Sequence, residues 1–151
     1  MLTLSILFGT GGAAAQSFPT PSPCLLNPAL CNFNVQADFT IQSFSVGCTG
    51  LGGDPIVYVT VANDGIIDAE TYVDFWWGSP TIPSLGDIGE QYRLVRVPAG
   101  GTATARFFLP GLDGQSAYAD AIVDTEDEVS ESNESNNTDW QWLTLPNCLF
   151  N

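Results

Sequence analysis

The 151-residue chain carries three Arg, no Lys, no His and 17 Asp plus Glu, for a net charge of -14. That balance excludes nucleic acid as a partner and disfavours an anionic membrane surface, because binding a polyanion depends on Lys and Arg releasing its counterions. Charged residues are nevertheless only 13% of the chain, so Ser, Thr, Asn, Gln and Gly must make up most of the surface, as suits an extracellular β-protein of one domain with a short tail.

In chain order, residues 1 to 15 read as a secretory leader. Leu2, Leu4, Ile6, Leu7 and Phe8 form a short apolar run, and Ala13-Ala14-Ala15 supplies small residues before Gln16, although no Lys or Arg precedes the run. The run is too short to span a bilayer, which favours a leader over an anchor, and no later stretch is apolar enough to cross one, so the mature chain is not expected to insert in a membrane. Residues 16 to 36 form an extended, proline-rich tail with a Cys24-to-Cys31 loop carrying Leu25, Leu26 and Leu30. Residues 37 to 146 are the expected domain, and residues 147 to 151 a C-terminal stub.

From Ala37 onward, short runs of Val, Ile, Thr, Phe, Tyr and Trp alternate with Gly, Pro, Asn and Asp clusters, and no window sustains a helical apolar period. Seven strands are expected: Asp38 to Val46, Pro55 to Ala62, Glu70 to Trp77, Tyr92 to Val97, Thr102 to Leu109, Ala117 to Asp124 and Asp139 to Leu145. Their number and spacing fit an all-β, Ig-like, two-sheet antiparallel sandwich. Val57, Val59 and Val61, then Val73, Phe75 and Trp77, then Ala103, Ala105, Phe107 and Leu109 are the candidate core faces. Phe39 and Ile41 are out of phase with Phe44 and Val46. A bulge near Gln42-Ser43 would repair the slip and let the first strand pass from one sheet to the other. Asn63-Asp64-Gly65 and Pro98-Ala-Gly-Gly101 are turn signals, the former because Asn, Asp and Gly tolerate positive φ.

The four cysteines are Cys24, Cys31, Cys48 and Cys148. With no CxxC pair and no His, a zinc or redox site is disfavoured and two disulfides are expected. Three pairings exist. The one favoured joins Cys24 to Cys31 locally and Cys48 to Cys148, on the expectation that the first and last strands run side by side and end together.

Residues 37 to 145 resemble the CARDB family, cell-adhesion-related domains of bacterial and archaeal surface proteins. The most specific match is Ile122-Val-Asp-Thr-Glu-Asp-Glu-Val-Ser-Glu-Ser-Asn-Glu-Ser-Asn-Asn137, similar to a V-D strand end followed by V-x-E-S-N-E-x-N-N. Val57-Tyr-Val-Thr-Val-Ala-Asn-Asp-Gly65 and Leu94-Val-Arg-Val-Pro-Ala-Gly-Gly-Thr102 agree with it more weakly. The resemblance implies an Ig-like sandwich with an adhesive or structural role outside the cell, and it implies no activity.

Three constellations carry chemistry. Asp124, Glu126, Asp127, Glu128, Glu131 and Glu134 place six carboxylates in eleven residues, a density of hard oxygen donors that suits Ca²⁺. Asp124, Asp127, Glu131, Asn133 and Asn136 are the candidate ligands. The bland reading is a solvated loop whose Asn side chains tie down their own backbone, and no cofactor is required for folding. Asn133-Glu-Ser135 and Asn136-Asn-Thr138 fit the N-glycosylation pattern, but the resemblance makes these asparagines part of the loop. The outward face of the third, sixth and seventh strands should gather Tyr72, Trp76, Tyr118, Trp140 and Trp142 as an assembly or binding patch, unless the leucine-bearing tail covers it. Catalysis is not expected, since neither His nor Lys is available as a base and GxSxG is absent. The function read from the sequence is a secreted, cell-surface adhesion or structural module. It would gain strength by self-association, as a filament subunit whose tail engages a neighbour, or by contact with other surface proteins. The alternative is a monomeric carbohydrate-binding module that stacks neutral glycans on the aromatic face.

Overall fold

Every alternating stretch from Phe39 to Thr144 becomes a strand. The computed structural model describes residues 36 to 148 except 51, 80, 82 and 85. The leader, residues 16 to 35 of the tail with the expected Cys24–Cys31 bridge, and residues 149 to 151 lie outside the described residues. The strands are β1 (Phe39–Cys48), β2 (Pro55–Asn63), β3 (Ala69–Trp77), β4 (Gln91–Val97), β5 (Thr102–Phe108), β6 (Ser116–Val123) and β7 (Thr138–Thr144). They form two antiparallel sheets, ordered β1-β2-β5 and β4-β3-β6-β7. The described residues contain no helix.

The two sheets bury the faces that the alternation marks. Val57, Val59, Val61, Val73, Phe75 and Phe107 are almost completely buried. Phe75 of β3 stacks on Phe107 of β5 across the interior, with centroids 4.5 Å apart and planes 12° from parallel. Burying each such side chain contributes about 2–3 kcal/mol before entropy is counted.

The register shift in β1 falls between Ile41 and Ser43, leaving Gln42 unpaired, so Phe39, Ile41 and Phe44 all face the core. Val46 does not join them and stays partly exposed. The strand does not change sheets: it pairs with β2 from Phe39 to Cys48. Nor are β1 and β7 paired neighbours. They are edge strands of different sheets, and Cys48 and Cys148 are disulfide-bonded across that gap with Cα atoms 5.6 Å apart.

The Asn63-Asp64-Gly65 turn works differently from its sequence signal, because none of the three has positive φ. Asn63 is fully buried, and its side chain makes four hydrogen bonds. Its Oδ1 accepts from the Asp38 and Gly65 N–H groups at 3.1 and 3.0 Å, and its Nδ2 donates to the Ile67 and Val97 carbonyls at 2.8 and 3.2 Å. A single amide thus ties β1, the β2–β3 turn and β4 together, spanning both sheets. Gly65 is required for space, since a Cβ there would collide with the backbone of Gln36 and Ala37. Pro98 to Gly101 is the expected tight reversal, with Gly100 at φ +62° and the Gly101 N–H bonded to the Pro98 carbonyl at 2.9 Å.

Candidate functional site

The acidic loop begins where β6 ends. Asp124 leaves the strand at φ +55° and Asp127 follows at φ +53°, a left-handed conformation that short polar side chains tolerate better than most. The Asp124 carboxylate is buried and organises the loop. It accepts from the Thr71 hydroxyl at 3.0 Å and from the Glu128 and Val129 N–H groups at 3.3 and 3.0 Å. Asp127 and Glu134 are exposed, and one carboxylate oxygen from each of Asp124, Asp127 and Glu134 lies within 4.8 Å of the others. These three acids are close enough to share one cation.

Of the remaining expected ligands, Glu131 and Asn133 have their side-chain oxygens engaged elsewhere. Glu131 is buried and takes the Phe39 N–H on Oε2 and the Asn137 amide on Oε1. Asn136 donates to Asp38 at 2.8 Å and Ser132 to the same carboxylate at 2.6 Å, while the Ser132 N–H reaches the Ala37 carbonyl at 3.0 Å. Together with the parallel bridge between Ala37 and Glu131, these bonds fasten the start of β1, on one sheet, to the β6–β7 loop on the other. Asn133 closes a local turn by accepting from the Ser135 N–H and hydroxyl. Glu131 and Asn133 thus spend their side-chain oxygens on the loop and on β1, the Asn136 Oδ1 is buried with no hydrogen-bond partner among the described residues, and Glu134 joins Asp124 and Asp127 in the carboxylate trio. The sequence marked Glu134 as acidic but held nothing to distinguish it from Glu131. Burial pushes the Glu131 carboxyl up to about 7. The Phe39 and Asn137 hydrogen bonds pull it down, and the charges of Glu134 and Asp124 add to the rise.

On the outward face of the four-stranded sheet, the five expected aromatics do share one side, but they do not form one patch. Tyr118, Trp140 and Trp142 are 44%, 47% and 56% exposed. Tyr118 meets both indoles edge-on, at centroid distances of 5.2 and 4.9 Å. Trp76 is a correction: it faces outward but is only 8% exposed. The β3–β4 connection returns along this face, with the Gly89 N–H bonded to Asp74 at 2.8 Å and the Gly86 N–H to the Thr125 carbonyl at 3.0 Å. Asp120 pairs with both Trp76 and Trp140 across the strands and is buried, and desolvation raises its carboxyl. Tyr72 lies apart and meets Tyr92 edge-on. Tyr92 and Leu94, both exposed on β4, were missed as members of this face. Their alternation with the buried Val95 and Val97 was the available signal.

Among the described residues, no helix is long and apolar enough to cross a membrane. No curated protein matches the chain. Solved structures of similar fold include a CARDB domain from Pyrococcus furiosus crystallised in complex with di-metal ions. It is 20% identical at a TM-score of 0.56, over 73% of this chain and 94% of that one. The solution structure of the same domain gives 20% identity and a TM-score of 0.52, over 72% and 94% of the two chains. A domain from a candidate cell surface protein of Methanosarcina acetivorans gives 21% identity and 0.54, over 72% and 91%. At these identities the likeness establishes the fold. The CARDB family profile itself matches residues 36–140, from before β1 through the whole acidic loop and into β7, and by that match the chain belongs to the CARDB family.

Proposed function

We propose that the chain is a non-catalytic adhesion or structural module outside the cell, and that it joins further copies of itself through the β7 edge of the four-stranded sheet. The observation that carries this reading is the placement of Trp140 and Trp142 on β7, a strand paired on one side only among the described residues, with Tyr118 beside them. Large aromatics at an unpaired edge offer apolar area and strand pairing together, which is how extended segments add to a sheet. The proline-rich tail, residues 16 to 36, is the segment assigned to the neighbour's edge. Purified full chain should form concentration-dependent oligomers or filaments in sedimentation and negative-stain microscopy. Trp140→Ala with Trp142→Ala, and deletion of residues 16 to 36, should each raise the assembly concentration at least about tenfold. A chain that stays monomeric at every concentration overturns the reading. Binding of that monomer to neutral glycans on an array, lost in the same double variant, would establish the alternative of a carbohydrate-binding module, for which the exposed indoles are the motive.

Asp124, Asp127 and Glu134 are assigned a divalent cation, with Ca²⁺ preferred for an all-oxygen donor set. The donor chemistry fits, and the Pyrococcus furiosus domain carries di-metal ions. The ion would neutralise three converging carboxylates and stiffen the loop. Millimolar Ca²⁺ should raise the melting temperature by several degrees over EDTA through mass action, and Asp127→Asn with Glu134→Gln should abolish the difference. Superimposable wild-type curves would remove the assignment.

A further inference from the structure

A cleft of about 360 Å³ opens on the outward face at the far side from Trp140 and Trp142. One wall is the Tyr72–Tyr92 pair, with centroids 5.7 Å apart at 78°, and Ile88, 81% exposed, stands beside it. Asp87, Glu126 and Glu128 also line it. Two further carboxylates in its lining, Asp74 and Asp124, are buried and cannot turn away. Asp74 is held by the Gly89 N–H and the Thr125 hydroxyl, at 2.8 and 2.7 Å, and Asp124 by Thr71, Glu128 and Val129. None of the described residues that line the cleft is basic.

We infer that this cleft receives a lysine or arginine side chain of a different polypeptide. Tyrosine faces attract a cation through their quadrupoles, and the methylene stem of such a side chain can lie along Tyr92 and Ile88 while its head reaches the acids. The volume suits one side chain or small molecule. The cation assigned to Asp124, Asp127 and Glu134 would leave the aromatic wall and the other four carboxylates of the cleft unused, and an anion would be repelled by them. A second copy of this chain is a poor donor, because it has only three basic side chains. Arg96 is paired with Asp68 at 3.3 Å, Arg93 bonds to the Tyr92 carbonyl and lies over Phe107, and Arg106 lies over Tyr58. The inference is therefore independent of self-assembly and would stand if that reading failed.

The test uses the full ¹⁵N-labelled chain in EDTA, titrated with the blocked amides of acetyl-lysine, acetyl-arginine and the neutral isostere acetyl-norleucine. Lysine and arginine should give saturable shifts confined to Tyr72, Ile88, Tyr92 and Glu126. Norleucine should give none, and 0.5 M salt should weaken the binding. Tyr92→Ala and, separately, Glu128→Gln should each weaken it at least about fivefold. Both residues are exposed, and dispersed spectra would confirm that the variants fold. Equal response to norleucine, non-saturating shifts over the whole acidic surface, or variants that bind as wild type would overturn the inference.

Discussion

Glu131 is the buried acid of the β1 latch, and its position sets a pH dependence. Its carboxyl, ordinarily at 4.5, stands at about 7 in the fold, chiefly because burial disfavours the charged form. A raised acid contributes stability that is complete below its unfolded value and is lost as pH rises through the folded one. The window therefore runs from about pH 4.5 to about pH 7, and the difference across it is on the order of 3 kcal/mol at most. Glu131→Gln cannot ionise. In urea unfolding at pH 5 and pH 8, with EDTA present, its stability difference should be smaller than wild type's by about 1–3 kcal/mol. An unchanged difference would mean that Glu131 is not the titrating group. Sequence reasoning found six acids in this loop and chose Asp124, Asp127 and Glu131 as ligands, without a signal for which were buried. Two of them are buried, Asp124 and Glu131; Glu131 is bound by the Phe39 N–H, which arrives from the other sheet, and no local signal encodes that contact.

At the scale of elements, the bulge in β1 was legible and its consequence was not. Phe39 and Ile41 followed by Phe44 leave an odd spacing that only an extra residue can absorb, and Gln42 is that residue. Which neighbour β1 keeps is a matter of long-range pairing, so the expected switch between sheets did not appear. Register makes two deletions differ sharply. Removing Gln42 leaves Ile41 opposite Val61 and Ser43 opposite Thr60, with Phe44 still inward, and should cost no more than about 1 kcal/mol. Removing Thr40 turns the fully buried Phe39 to the opposite face and strips its N–H from Glu131. It should cost at least about 3 kcal/mol. Comparable urea midpoints for the two deletions would refute this account of the bulge. All seven strands were readable to within about two residues because each carries its own alternation. The outward face was harder to read: Trp76 has the same alternation as the exposed Tyr72 and is nevertheless buried.

Across the whole molecule, β1 is tied to the second sheet near both its ends. Phe39 is bound to Glu131 at the start, and Cys48 is bonded to Cys148 at the end. The ten residues of β1 hold these ties about 30 Å apart, at roughly 3.3 Å per residue. The disulfide closes a separation of 100 residues, so the chain-entropy estimate is about 4–5 kcal/mol, and measured losses for such bridges are commonly about 2–4. Cys48→Ser with Cys148→Ser should therefore lower stability by about 2–4 kcal/mol and leave the fold intact, because the Phe75–Phe107 stack and the Asn63 amide still join the sheets. Combining that change with Glu131→Gln asks whether the two ties act separately. Ties this far apart with no shared partner should add to within about 0.5 kcal/mol. A coupling above about 1 kcal/mol would instead mean that β1 leaves the sandwich as one unit once either end is released. In that case unfolding would begin at this edge strand, and the signature loop would be its lock.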